Sequence, residues 1–145
     1  MDLLEDAREE LKRADHLVYV SLKYTRTCDI IMNTVKRLIE SCDLVMLALL
    51  ENLRDKRKLS SIPEGRMSRA ELLIEKDKKY KSYVKLYQLL KKINDAEFDR
   101  REEYRKHVTM ICHLGRRDLE VNVPTLEEYY FKIKEFVDIA EDELG

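Results

Sequence analysis

The sequence predicts an all-α domain, a four- or five-helix antiparallel bundle, and three observations carry that expectation. The 145 residues hold three Gly, two Pro and no Trp, too few turn formers for a strand-rich fold. Charged residues make up 39% and hydrophobic ones 44%, a balance typical of amphipathic helices in water. Apolar positions recur at spacings of three and four along most of the chain. One core is expected at this length, hence one domain over residues 1–145.

The first helix is expected over roughly residues 2–24, where Leu4, Ala7, Leu11, Ala14 and Val18 repeat between acidic and basic residues. Val35, Leu38, Cys42, Val45, Leu49 and Leu53 continue the spacing in a more apolar segment to about residue 56. "YTRTCD" joins the two: Thr25 or Thr27 can cap a new helix, while the lack of Gly or Pro leaves one kinked helix open. "RDKRKLSSIPEGRM" is the clearest loop. Ser68 and Glu71 form a capping-box pattern opening a third helical region through about Asn94. It carries Leu73, Tyr80, Tyr83, Val84, Tyr87, Leu90 and Ile93 on one face, with a possible break near "EKDKK".

A fourth helix is expected next, capped by Asp95 and stopped by Gly115. "DLEVNV" then reads as a short extended connector, and Pro124, Thr125 and Glu128 start a last helix burying Leu126, Tyr130, Ile133, Val137 and Ala140. Leu44, Val45, Met46, Leu47, Leu49 and Leu50 make the second helix apolar over more than one stripe. That width predicts cover on several sides and a homodimer.

Composition also bounds function. Cys28, Cys42 and Cys112 are odd in number and lack a CxxC pair, so neither a disulfide framework nor a thiolate metal site is indicated, and a cytoplasmic protein is expected. The opening "MDLLEDAREELKRAD" is no secretory signal, and "LVMLALL" is too short to span a bilayer. No cofactor or metal is expected: none of His16, His107 and His113 has an acid three positions before it, as a ferritin-like site requires. His16, beside Asp15, reads as a packed or interface residue. No Gly-rich phosphate loop or nucleophile elbow occurs. The abundance of Glu, Lys and Arg also fits a protein from a hot environment.

Charge is uneven along the chain. Residues 54–107 hold 17 Lys and Arg against 10 Asp and Glu, a balance of +7, and the remainder hold 11 against 19, a balance of −8. A basic half of this kind can form a surface for phosphates. Four tyrosines within it (Tyr80, Tyr83, Tyr87, Tyr104) could stack on bases, but tyrosines at helical spacing are more often core.

Within that half lies "DRREEYRKHVTMICH". On a helix, Arg100 and His107 would differ by only about 20° in direction. A histidine can exchange a proton near neutral pH, and an arginine can hold phosphate oxygens. Together they are a minimal kit for metal-independent RNA cleavage. The plainer reading is Arg100 paired with Glu103 or another acid and His107 packing.

An all-α chain of this size, with two long helices first, a basic middle, then an Arg followed by four to six residues and a His on a penultimate helix, and a closing amphipathic helix, resembles the HEPN superfamily. The resemblance covers most of the chain in architecture and only Arg and His in motif. It implies a helical bundle that dimerises, and an RNA-binding or metal-independent RNA-cleaving protein of the kind found in toxin–antitoxin systems with a nucleotidyltransferase-type partner. His107 matches the motif histidine, with Arg100 or Arg101 the arginine; the polar residue that often follows the motif Arg is here Arg101 or Glu102. Tyr104, Arg105 and Lys106 are the expected nucleic-acid contacts. "HLVYVSLKYTRTCD" is also similar to small archaeal helical proteins. The alternative is a non-catalytic helical interaction module, a homodimer whose basic half binds a partner or nucleic acid.

Overall fold

The computed structural model describes residues 2–145. Helix α1 (Leu3–His16) starts where the Asp2 carboxylate accepts the backbone N–H groups of Leu4 and Glu5 at 3.0 and 3.3 Å. It buries Ala7, Leu11 and Ala14. One π-helical turn (Leu17–Ser21) follows, then α2 (Leu22–Tyr24). The wider turn keeps Val18 and Leu22 directed inward, both 3% exposed. The chain breaks at Thr25, whose backbone is extended, and Thr27 caps the next helix by accepting the Ile30 N–H at 3.3 Å. Of the two readings of "YTRTCD", two helices rather than one kinked helix is correct.

Helix α3 (Cys28–Asp55) is the spine, about 42 Å long at 1.5 Å per residue for 28 residues. It packs on α1, on α4 (Arg66–Lys76), on α5 (Lys81–Asp95) and on α6 (Val123–Leu144). Val45, Met46, Leu49 and Leu50 are buried within this one chain. Most of the wide α3 apolar face is thus met by its own neighbours, while Leu44 and Leu47 are half-buried. Asp43 is buried among them, accepting from the Tyr87 hydroxyl on α5 at 2.6 Å and pairing with Arg66 on α4 at 2.9 Å.

The C-terminus of α3 closes by a Schellman motif: Lys58 N–H bonds Leu53 C=O and Arg57 N–H bonds Arg54 C=O, each at 2.9 Å. Arg57 occupies the left-handed position with φ 60°. Glycine is the usual residue there, and a side chain costs on the order of 1 kcal/mol.

Helix α4 begins two residues before the expected Ser68, with Gly65 as its cap. A break does fall near "EKDKK": Asp77 accepts the Lys79 N–H at 3.1 Å and opens a 3-10 turn (Lys78–Tyr80) before α5. Tyr80, Tyr83 and Tyr87 are core residues, as their spacing favoured. Tyr83 stacks on Phe136 of α6 with centroids 4.9 Å apart.

The fourth helix does not form, and the chain is α-rich rather than all-α. Residues 98–122 make an antiparallel sheet of β1 (Phe98–Arg101), β2 (Thr109–Leu114) and β3 (Arg117–Asn122), in that order. In "VTMICH" Met110 and Cys112 are buried while Ile111 and His113 turn outward, a period of two, preceded by Val108 and Thr109, both buried. The β-branched residues Val108, Thr109 and Ile111 favour that extended backbone. "DLEVNV", read as a connector, supplies the third strand, with Met110 opposite Val121. Gly115 does not stop a helix; with φ 72° it makes the tight turn that places Leu114 opposite Arg117. Asn122 then caps α6 by accepting the Thr125 N–H at 3.0 Å, and α6 buries all five expected residues.

Candidate nucleic-acid interface

The expected site residues lie on β1 and on the seven-residue connection between β1 and β2, against the N-terminal end of α3. Glu103 organises this junction. Its Oε1 accepts the Cys28 N–H of the first turn of α3 at 3.2 Å and the Arg100 guanidinium at 3.0 Å. Arg100 also donates to Asp29 at 2.8 Å and lies 5.2 Å from the centre of the Phe98 ring. The hydrogen bonds that Arg100 donates to Asp29 and Glu103 raise its pKa further, and Arg100 in turn holds Asp29 below the usual carboxylate range. Two acids at the positive end of a helix, bridged by one guanidinium, form an electrostatically coherent clamp.

Arg101 is next on the same strand and therefore faces the other side of the sheet, where it pairs with Glu120 of β3. The connection reverses direction through two left-handed residues, Glu102 (φ 57°) and Tyr104 (φ 65°). Arg105 N–H bonds Glu102 C=O at 3.0 Å and Val108 N–H bonds Arg105 C=O at 3.1 Å. This is a hydrogen-bonded turn. His107 is exposed, and its backbone carbonyl, not its ring, accepts from the Thr109 hydroxyl at 2.9 Å.

The helical geometry that would stack Arg100 over His107 is thus absent. Strand and turn separate them, and neither Arg100 nor Arg101 has a hydrogen bond or ion pair to His107 among the described residues; both point at carboxylates. The plainer reading of Arg100, a pair with Glu103, is the observed one. Tyr104, Arg105, Lys106 and His107 are each exposed on this connection. Arg105 is held only loosely, 3.9 Å from Glu102.

A second segment joins this surface. The Tyr104 N–H donates to Arg26 C=O at 2.6 Å, tying the turn to the break between α2 and α3. That break presents Lys23, Tyr24 and Arg26. Tyr24 is 85% exposed and Tyr104 77%. The sequence reading missed Tyr24 and Arg26, because "YTRTCD" was informative only as a helix boundary. The conjunction of an aromatic and two cations at a break was the available signal.

His113 is the other feature that the helical reading hid. Its Nδ1 lies 2.8 Å from Asp118 and its Nε2 3.0 Å from Asp99, so the ring bridges all three strands. The hydrogen bonds to Asp118 and Asp99 raise its pKa. Each carboxylate takes a different ring nitrogen, so the three side chains do not converge on one ion, and no cluster of three or more metal-ligating residues occurs among the described residues. Adjacent Cys112 faces the opposite side and is buried, so the two are no catalytic pair.

Elsewhere, a recess of about 760 Å³ between α1, α3 and the end of α6 is lined by Glu5, Glu51, Asp55 and Glu141 and repels polyanions. Among the described residues no helix is long and apolar enough to cross a membrane. The chain matches no protein-family model, no curated protein and no solved structure.

Proposed function

We propose that this protein binds single-stranded RNA through the surface formed by Lys23–Tyr24–Thr25–Arg26 and Tyr104–Arg105–Lys106–His107. The observation that carries the reading is the exposure of Tyr24 and Tyr104 on two segments joined by a 2.6 Å backbone hydrogen bond. Tyr80, Tyr83, Tyr87 and Tyr130 are buried in the same molecule. Two rings left in water beside Lys23, Arg26, Arg105 and Lys106 have the composition of a base-stacking platform with phosphate contacts. Neither ring has an aromatic or cation–π partner among the described residues.

The HEPN resemblance is no longer an argument for RNA, because Arg100, Arg101 and His107 lie on a strand and a turn rather than on a penultimate helix; the exposed tyrosines among cations carry the reading. Binding is the function better supported than cleavage, because both arginines are occupied: Arg100 by Asp29 and Glu103, Arg101 by Glu120. Cleavage would require a guanidinium to leave those acids when RNA binds. Self-association keeps only a narrow argument from α3, where Val45, Met46, Leu49 and Leu50 are covered within the chain and Leu44 and Leu47 are half-buried.

Fluorescence anisotropy with a labelled single-stranded oligoribonucleotide tests the reading. Each ring replaced in Tyr24→Ala and Tyr104→Ala should weaken binding by about tenfold, given stacking worth roughly 1–3 kcal/mol per base. Arg105→Ala and Lys106→Ala should each flatten the log–log salt dependence by about 0.7. Unchanged affinity in the double tyrosine variant would remove the proposal. Incubation with RNA in the absence of divalent metal, wild type beside His107→Ala, separates cleavage from binding: equal degradation by both rules out His107 as the catalytic group.

A further inference from the structure

The opposite end of α3 carries a recess of about 490 Å³ lined by Arg54, Arg57, Lys58, Leu59, Ser60 and Lys76. Four cations and a hydroxyl meet there, and no carboxylate lines it. None of these four cations is in an ion pair among the described residues, so no carboxylate competes for them within the recess. Glu51 and Asp55, on the same part of α3, line the acidic recess on the other flank.

The C-termini of α3 and α4 both end here, which accounts for part of the charge. Each helix end contributes about −0.5. Against four positive side chains this leaves roughly +3 in one concavity. The chain also places one of these cations at a conformational disadvantage. Arg57 sits at φ 60° in the Schellman position that glycine fills most easily. The Arg57 guanidinium beside three like charges is what an oxyanion ligand would offset.

We infer that this recess is a phosphoryl-binding site, taking a multiply charged phosphate group between Arg54, Arg57, Lys58 and Lys76, with Ser60 as a neutral hydrogen-bond donor. It stands independently of the RNA-binding proposal, because it lies at the other end of α3 from Tyr104 and shares no residue with that surface. The phosphate can belong to a free oligophosphate or to the terminal phosphate of an RNA.

Calorimetric titration of the full chain with inorganic pyrophosphate at low salt, together with thermal melting, tests the site. Wild type should bind pyrophosphate and melt at a higher temperature in its presence. The informative variant is Arg57→Gly, which relieves the left-handed strain while removing the guanidinium. It should melt above wild type without ligand and bind pyrophosphate about tenfold more weakly. Lys76→Ala should weaken binding similarly, with the Schellman turn intact. A structural role alone gives a different pattern: Arg57→Gly would raise the melting temperature and leave the titration unchanged. That result, or no pyrophosphate binding by wild type, overturns the inference. Displacement of pyrophosphate by 5′-phosphorylated RNA but not by 5′-hydroxyl RNA identifies the RNA terminus as source; displacement by neither identifies the free oligophosphate.

Discussion

Tyr87→Phe removes one oxygen atom from the centre of the molecule, and its cost should depend on pH. The Tyr87 hydroxyl donates to Asp43 Oδ1 at 2.6 Å, while Arg66 holds Oδ2 at 2.9 Å, so one buried carboxylate ties α3 to both α4 and α5. Tyr87 is fully buried and Asp43 9% exposed, which prevents water from replacing the lost donor easily. A buried charged acceptor that loses one of two donors costs about 1.5–3 kcal/mol. At this chain length that lowers the melting temperature by roughly 4–10 °C.

The sign of the pH effect follows from the acid. Burial is the largest influence on Asp43 and raises its pKa, while the hydrogen bond from Tyr87 opposes the rise. A carboxyl whose folded pKa is raised binds protons more readily in the folded state, so its unfavourable contribution grows as pH increases from 3.8 through the folded value. Loss of Tyr87 raises that folded value further. Urea unfolding should therefore show a larger difference between Tyr87→Phe and wild type at neutral pH than near pH 4. A difference below about 0.5 kcal/mol at neutral pH, or one of equal size at both pH values, would refute the reasoning.

Two further outcomes are accessible by simple measurements. The carboxylates on both nitrogens of His113 raise its pKa, so the stabilisation it provides is complete below its unfolded value of 6.5 and declines as pH rises through the higher folded value; His113→Gln should abolish that part of the stability–pH curve, and an unchanged curve between about pH 6 and 8 would count against the bridge. Burial raises the thiol pKa of Cys28 to about 12 and of Cys112 to about 11, and that of Cys42 well above 9.0, so thiol reagents at pH 8 should label the native protein slowly and the denatured protein fast; rapid labelling of the native chain would show that the core opens.

The helical part of the fold was legible because burial repeated at helical spacing for long stretches: Leu4 to Val18, Val35 to Leu53 and Leu126 to Ala140 are each long enough to fix the period. The sheet was not, because its strands are four to six residues long, too short for a period of two to stand out from a helical one. The decisive local signs were the alternation of Val108, Met110 and Cys112 and the β-branching around them, with Gly115 as a turn rather than a stop. Site residues divided along the same line. Tyr104, Arg105, Lys106 and His107 share an exposed turn, as a cluster in sequence naturally does, whereas the relation between Arg100 and His107 depended wholly on an assumed helix. The Asp99–His113–Asp118 bridge and the contact between Tyr104 and Arg26 join residues of separate elements, and only the tertiary fold reveals them.

The strand order β1-β2-β3 leaves both outer strands with an unpaired side among the described residues. An open edge invites a strand from another molecule. Here β1 is only four residues long and carries Asp99, Arg100 and Arg101, and β3 exposes Arg117, Asp118 and Glu120. An incoming strand would have to strip water from these charges and fit a very short ladder. The same side chains that lock the sheet internally, Arg101 to Glu120 and His113 to Asp99 and Asp118, therefore also protect it from edge-to-edge growth into aggregates.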